Sequence, residues 1–183
     1  MRIITGTLKG RNIPAPNTDL LRPTSDRTKE GIFSTISARR YFESTRVLDL
    51  FAGSGNLGFE AISRGSSQVL FLDREHEHIR HIEKIAESFG VADKISTRVM
   101  AVEEYLEQPQ ETFDFIFADP PYDYFYMEGI IDLVLNGNVL EDDGWFILEH
   151  DKRHDFSEHP LCAYVKPYGR TIASFFTRDE SIT

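Results

Sequence analysis

The stretch FDFIFADPPYDYFY, residues 113–126, ends an apolar run in a carboxylate, two prolines and a cluster of rings. A residue that precedes proline is driven towards extended geometry, and each proline fixes its own φ and lacks an N–H. Asp119-Pro120-Pro121-Tyr122 therefore reads as a rigid corner displaying two acceptors, the Asp119 carboxylate and the Pro120 carbonyl. Two fixed acceptors suit an exocyclic NH2 on a planar base. Such a nitrogen is a poor nucleophile because its lone pair is delocalised into the ring. Accepting both N–H hydrogens out of the ring plane frees that lone pair for a methyl group. The nitrogen turns cationic as the bond forms, and preorganised acceptors stabilise the charge. Asp119 could then take the proton or pass it to water, while Tyr122 stacks on the base and aligns it. This chemistry calls for no metal. The plainer reading is that Asp119 caps the next helix and Tyr122 packs.

A second motif carries the complementary chemistry. GSGNLG (Gly53, Gly55, Gly58) matches G-x-G-x-x-G between a strand, RVLDLF, and a helix, with Asp73 twenty positions after Gly53. Taken alone this is a dinucleotide fingerprint. Asp49, inside LDLFAGSG, argues otherwise: a pyrophosphate over this turn would meet a carboxylate. S-adenosylmethionine has no phosphate, and its α-ammonium and sulfonium are positive. Asp49 suits that cofactor, Gly53 and Gly55 allow close backbone approach, and Asp73 can accept from ribose hydroxyls. The bland alternative is a tight strand-to-helix turn without a ligand.

These residues need elements to bring them together. From Arg46 onward strands and helices alternate: RVLDLF, NLGFEAISRG, QVLFLD, EHEHIRHIEKIAESFG, KISTRVM, AVEEYLEQ, FDFIFAD, MEGIIDLVLNG and GWFILEH. The pattern predicts an α/β fold with a mostly parallel sheet and helices on both faces. The closing pair AYVKPYG and TIASFFTR, turning at Tyr168–Arg170, predicts an antiparallel C-terminal edge. Ligands of such sheets bind beyond the carboxyl ends of the strands, which puts Asp119 in the same crevice as the glycine loop. Ahead of this unit, RIITGTLKGRNI reads as a small hairpin. TSDRTKEGIFSTISARRYF predicts a helix over 25–39 with Ile32, Phe33 and Ile36 on its apolar face. The chain divides into an extension, residues 1–42, and a catalytic unit, residues 43–183.

Charge supports that division. The formal net charge is -10, yet residues 1–40 hold eight basic and three acidic side chains and carry +5. A basic arm on an acidic body points to an anionic partner, with a solvated segment as the alternative. Cys162 is the single cysteine, which excludes an internal disulfide and fits a reducing cytoplasm. No leader peptide and no membrane-spanning run is expected. His76, His78 and His81 read as a solvated helix face rather than a metal site. The segment 150–156 reads as a solvent-exposed charged loop. Of Tyr122, Tyr124, Phe125 and Tyr126, the first is expected to stack and at least one other to pack. With no exposed apolar helix, a monomer is expected.

RIITGTLKGRNI, LRPTSDRTKEGIF, VLDLFAGSGNLGFEAISRG and FDFIFADPPY together resemble the RsmD family, bacterial enzymes that methylate N2 of a guanine in 16S ribosomal RNA using S-adenosylmethionine. The resemblance implies a Rossmann-like class I methyltransferase fold with a seven-stranded sheet and an N-terminal hairpin and helix. It implies that Asp49, Ala52, Gly53 and Gly55 hold the methionine end, and Asp73 with Arg74 the ribose. Met100 and Ala101 would meet the adenine, and Asp119, Pro120 and Tyr122 would grip the guanine amine. Lys9, Arg11, Arg22, Thr24 and Arg27, with Tyr122, would face the RNA, as naked rRNA or within a small ribosomal subunit. Ser34, Ile85, Met100 and Asp73 depart from the family pattern. A DNA adenine-N6 methyltransferase is the nearest alternative, since the same corner suits that amine, although the chain has no room for a separate target-recognition domain. A nicotinamide oxidoreductase and a non-catalytic RNA-binding assembly factor are more distant.

Overall fold

The computed structural model describes residues 1–17 and 24–182. After the N-terminal extension and α1 (Asp26–Ser37), strands and helices alternate: β1 (Arg46–Leu50), α2 (Asn56–Ser63), β2 (Gln68–Asp73), α3 (His76–Phe89), β3 (Ile95–Val99), α4 (Val102–Glu107), β4 (Phe113–Ala118) and α5 (Met127–Asn136). β5 (Leu140–His150), β6 (Cys162–Tyr168) and β7 (Thr171–Thr177) complete one seven-stranded sheet in the order β3-β2-β1-β4-β5-β7-β6. The first five strands of that order are parallel. β7 runs antiparallel to β5, and β6 antiparallel to β7 forms the edge.

Strands buried on both faces read as continuous apolar runs rather than alternating ones, as VLDLF and FIF do. Their side chains nonetheless divide by face. Val47, Phe71, Phe117 and Ile147 pack with α1, α2 and α3, whereas Leu48, Leu70, Ile116 and Leu148 pack with α4 and α5. β1 and β4 sit at the centre, where the strand order reverses direction, and their carboxyl ends open the crevice.

α1 starts where its capping residue demands: the Ser25 side chain accepts from the Thr28 N–H at 3.0 Å. Ile32, Phe33 and Ile36 are fully buried, and the helix stops at Ser37 rather than Arg39. Lys29 lies on the same apolar face and is fully buried. Its Nζ donates to the Arg2 carbonyl (2.7 Å) and Asn56 Oδ1 (2.8 Å) and pairs with Glu60 at 3.2 Å. One of the eight basic side chains of the arm is thus internal, so less of that charge faces outward than the composition implies.

Two expected elements differ. The N-terminal hairpin is reduced to a single antiparallel bridge between Arg2 and Asn12. Around it Ile3 N–H donates to the Arg11 carbonyl at 2.9 Å and Ile13 N–H to the Met1 carbonyl at 2.8 Å, while the intervening backbone also bonds to α2: Ile4 and Thr5 N–H donate to the Glu60 carboxylate at 2.9 and 3.1 Å, and Leu8 N–H to Ser63 Oγ at 2.9 Å. Gly6, at φ +92°, permits this, because a Cβ there would lie 1.7 Å from the Ser63 carbonyl oxygen. β5 begins at Leu140, ahead of the expected Gly144; its register against β4 shifts between Phe113 and Phe115, which accommodates the polar EDD segment as an irregularity.

Candidate active site

The carboxyl ends of β2, β1, β4 and β5 open on a cavity of about 590 Å³. Strand β1 leads into it through a strained turn. Phe51 adopts φ +54°, unusual for a non-glycine residue, followed by Gly53 at +55° and Gly55 at +78°. Gly55 caps α2 from a left-handed conformation. Gly58 serves packing: a Cβ there would meet the Phe71 ring at 2.2 Å. The three glycines therefore divide between turning the chain and letting α2 press on the sheet.

Asp49, Ala52, Gly53, Asp73, Arg74, Met100 and Ala101 all line the cavity, as do Thr24, Arg27, Asp119, Pro120 and Tyr122. Gly55 lies behind the wall. Lys9 and Arg11 are exposed away from it, with the Arg11 guanidinium 5.5 Å from the Phe89 ring centroid. Arg22 lies outside the described residues.

The acids form a row. On each strand the alternation of side chains sends Asp73, Asp49, Asp119 and Glu149 to the face that carries α1 and α2. Ala118 is in register with Leu148, so Asp119 and Glu149, one step beyond, stand side by side on neighbouring strands. Asp49 Oδ2 accepts from the Gly58 N–H at 3.0 Å and is buried. Burial, with Asp119 and Asp73 nearby, pushes its carboxyl well above the usual carboxylate range. A cation beside Asp49 would relieve that cost. Asp73 accepts from the Gly53 N–H through Oδ2 and the Glu75 N–H through Oδ1, both at 2.8 Å, and so braces the loop.

Thr24, just ahead of α1, reaches across the row. Its hydroxyl donates to Asp119 Oδ2 at 2.9 Å and lies 3.5 Å from Glu149 Oε1. The Asn56 side-chain amide donates to the Thr24 carbonyl at 3.4 Å. The aromatic cluster is split. Tyr122 is half-exposed and Phe125 is 88% exposed, whereas Tyr124 meets Phe51 edge-on at 4.9 Å and donates to Glu103. Arg153 holds the corner from outside by donating to the Tyr122 carbonyl at 2.8 Å.

Two expectations are corrected here. His78 is not on a solvated face: it is buried, 3.1 Å from Asp73 Oδ2 through Nδ1, because it shares the apolar side of α3 with Ile82 and Ile85. The 150–156 segment is only partly a solvent loop. His150 and Phe156 are buried, and His150 Nε2 is 2.8 Å from Ser174 Oγ. Among the described residues no group of three or more His, Cys, Asp or Glu comes together as a metal site, and no helix is long and apolar enough to cross a membrane. Sequence reading also missed Glu149. Its signal is the one Asp49, Asp73 and Asp119 share, an acid at the end of an apolar strand, here FILEH.

Residues 1–177 match the family described as Conserved hypothetical protein 95. Ribosomal RNA small subunit methyltransferase D of Haemophilus influenzae is 34% identical over 155 residues, covering 83% of this chain and 79% of that protein. The Escherichia coli protein of the same name is 32% identical over 147 residues, covering 79% and 69%. The structure of a Thermus hypothetical protein, TTHA0928, superposes with a TM-score of 0.83 at 26% identity, covering 97% of this chain and 99% of that one.

Proposed function

This chain belongs to the Conserved hypothetical protein 95 family, the RsmD family its motifs resemble, and on that premise we propose that it transfers a methyl group from S-adenosylmethionine to the exocyclic N2 of a guanine in small-subunit ribosomal RNA. The observation that carries this reading is the row of carboxylates at one end of the sheet, with the proline-stiffened Asp119 next to β1, the strand that bears Asp49. A pyrophosphate cofactor would be repelled by that row. A cationic one is favoured by it.

In this reading Asp49, Gly53 and Asp73 hold the cofactor, which supplies an electrophilic methyl group. Ala52 and Arg74 flank it, and Met100, Ala101 and Phe51 form an apolar wall suited to a purine. Asp119 and the Pro120 carbonyl accept the two hydrogens of the guanine amine and stabilise the positive charge that develops on nitrogen. The Thr24 hydroxyl, bonded to Asp119 Oδ2, fixes which way that carboxylate faces. Once nitrogen is cationic, Asp119 takes its proton or relays it to water. Tyr122, half-exposed at the mouth, stacks on the base. Arg27 at the cavity rim contacts RNA phosphate, as do Lys9 and Arg11 further out. The preferred substrate is a small subunit or assembly intermediate in the cytoplasm, acted on by a monomer.

Tritiated methyl transfer to small subunits from cells lacking the protein, followed by nucleoside analysis, tests the proposal. N2-methylguanosine is expected, and Asp119→Ala should lower its formation by about a hundredfold or more while S-adenosylhomocysteine affinity is kept. N6-methyladenine in a DNA acceptor would favour the adenine reading instead, and equal labelling of protein-free rRNA would remove the preference for a subunit.

A further inference from the structure

Resting on the guanine reading, we propose that Glu149 reads the target base, accepting the ring N1–H while Asp119 and Pro120 take the amine, and so makes the site selective for guanine over adenine.

The argument begins with position. In the sheet order β2-β1-β4-β5 the acids run Asp73, Asp49, Asp119, Glu149. The first two flank the glycine loop. Glu149 lies on the far side of Asp119 from that loop, so it adjoins the acceptor base rather than the cofactor. Adjacent strands are ~4.8 Å apart, and the in-register pair Ala118–Leu148 sets Asp119 and Glu149 at the same height. The Thr24 hydroxyl, within 2.9 Å of one carboxylate and 3.5 Å of the other, shows that both reach one small region. Glu149 is 3% exposed and lines the cavity. It is held rigidly: its strand pairs with β4 on one side and with β7 on the other, with Ala173 as its partner there.

The chemistry follows from the edge a base presents. Guanine offers two adjacent donor groups, the ring N1–H and the exocyclic amine. Adenine offers an amine beside an unprotonated ring nitrogen, an acceptor. Two neighbouring carboxylates match two neighbouring donors. With adenine, Glu149 would face another acceptor in a buried place, and two acceptors repel. A motif shared by amine methyltransferases thus becomes guanine-selective through an acid on the next strand. The second carboxylate also adds negative potential beside a nitrogen that becomes positive.

The test compares wild type, Glu149→Gln and Glu149→Asp on reconstituted small subunits. Their 16S rRNA carries, at the position wild type methylates, either guanine or 2-aminopurine. The latter keeps the amine but has no N1–H. Wild type should strongly prefer guanine. Glu149→Gln, which can donate to an unprotonated N1, should lose roughly 10- to 100-fold in kcat/KM on guanine and narrow the preference about tenfold or more. Glu149→Asp keeps an acceptor and should stay guanine-selective, though slower. S-adenosylhomocysteine affinity reports whether each variant is folded. Parallel losses on both bases, or no change in either, would overturn the role of Glu149. Failure of wild type to form N2-methylguanosine at all would overturn the guanine reading itself, and Glu149 with it, before any variant is compared.

Discussion

Single side chains here work by where their charge is kept. Asp49 is the clearest case, because burial holds its carboxyl well above the ordinary 3.8. The ligand-free native protein retains a proton there that the unfolded chain has already lost. Its stability therefore falls as pH rises from the ordinary carboxylate range towards the raised value. Asp49→Asn should flatten that slope in thermal melts taken across pH. A cationic cofactor favours the ionised form, so binding should release a proton and tighten with rising pH over the same window. Calorimetry in buffers of differing ionisation enthalpy measures the release; Asp49→Asn should abolish it and weaken S-adenosylmethionine binding by about tenfold or more. Thr24 carries a different kind of control. Its hydroxyl orients a carboxylate 95 positions away in the chain, and it precedes the helix that anchors the basic arm.

At the scale of elements, the glycine motif divides its labour. Gly53 and Gly55 have positive φ and shape the turn, whereas Gly58 exists for helix-to-sheet contact. In Gly58→Ala the new methyl must displace the Phe71 ring, which is fully buried and has little room. Overpacking of this kind costs about 1–3 kcal/mol, more than the gain in helix propensity. Urea unfolding should show that loss, with the midpoint lowered and its slope unchanged. The N-terminal extension is an element of the same sort, since its backbone donors go to Glu60 and Ser63 of α2. A hairpin was legible in RIITGTLKGRNI from its glycines and β-prone residues. That several of its N–H groups would bond to a helix as well as across the segment was not, because Glu60 lies more than fifty residues away in sequence.

The whole molecule, at net -10, sets an acidic body against a basic arm from which Arg27 reaches the cavity mouth. The electrostatics of RNA binding should then sit in a few side chains. Lys9→Ala and Arg11→Ala are each expected to weaken RNA binding nearly uniformly across sequences and to reduce the slope of log affinity against log salt by roughly one contact. Titration by filter binding at several salt concentrations measures it. Lys29→Ala would not belong to this set, since its ammonium is consumed inside by Glu60, Asn56 and Arg2.

What the amino-acid sequence determined alone were the features encoded within short windows. Strand-turn-helix at GSGNLG, the proline-stiffened corner after FDFIFA and the alternation of apolar runs depend on φ preferences and on side-chain period, which act over a few residues. They were enough to set Asp49, Asp73 and Asp119 around one crevice, because parallel strands all open at their carboxyl ends. Only the tertiary structure decided which strand lies next to which. The order β1-β4-β5 brings Glu149 beside Asp119 and carries Thr24 to both. Burial of Lys29 and His78 was decided at the same level. A polar residue on an apolar helix face can go inside only if a partner waits there: Asp73 meets His78 across one strand-to-helix turn, whereas Glu60 reaches Lys29 through a fold of the chain that no local pattern records.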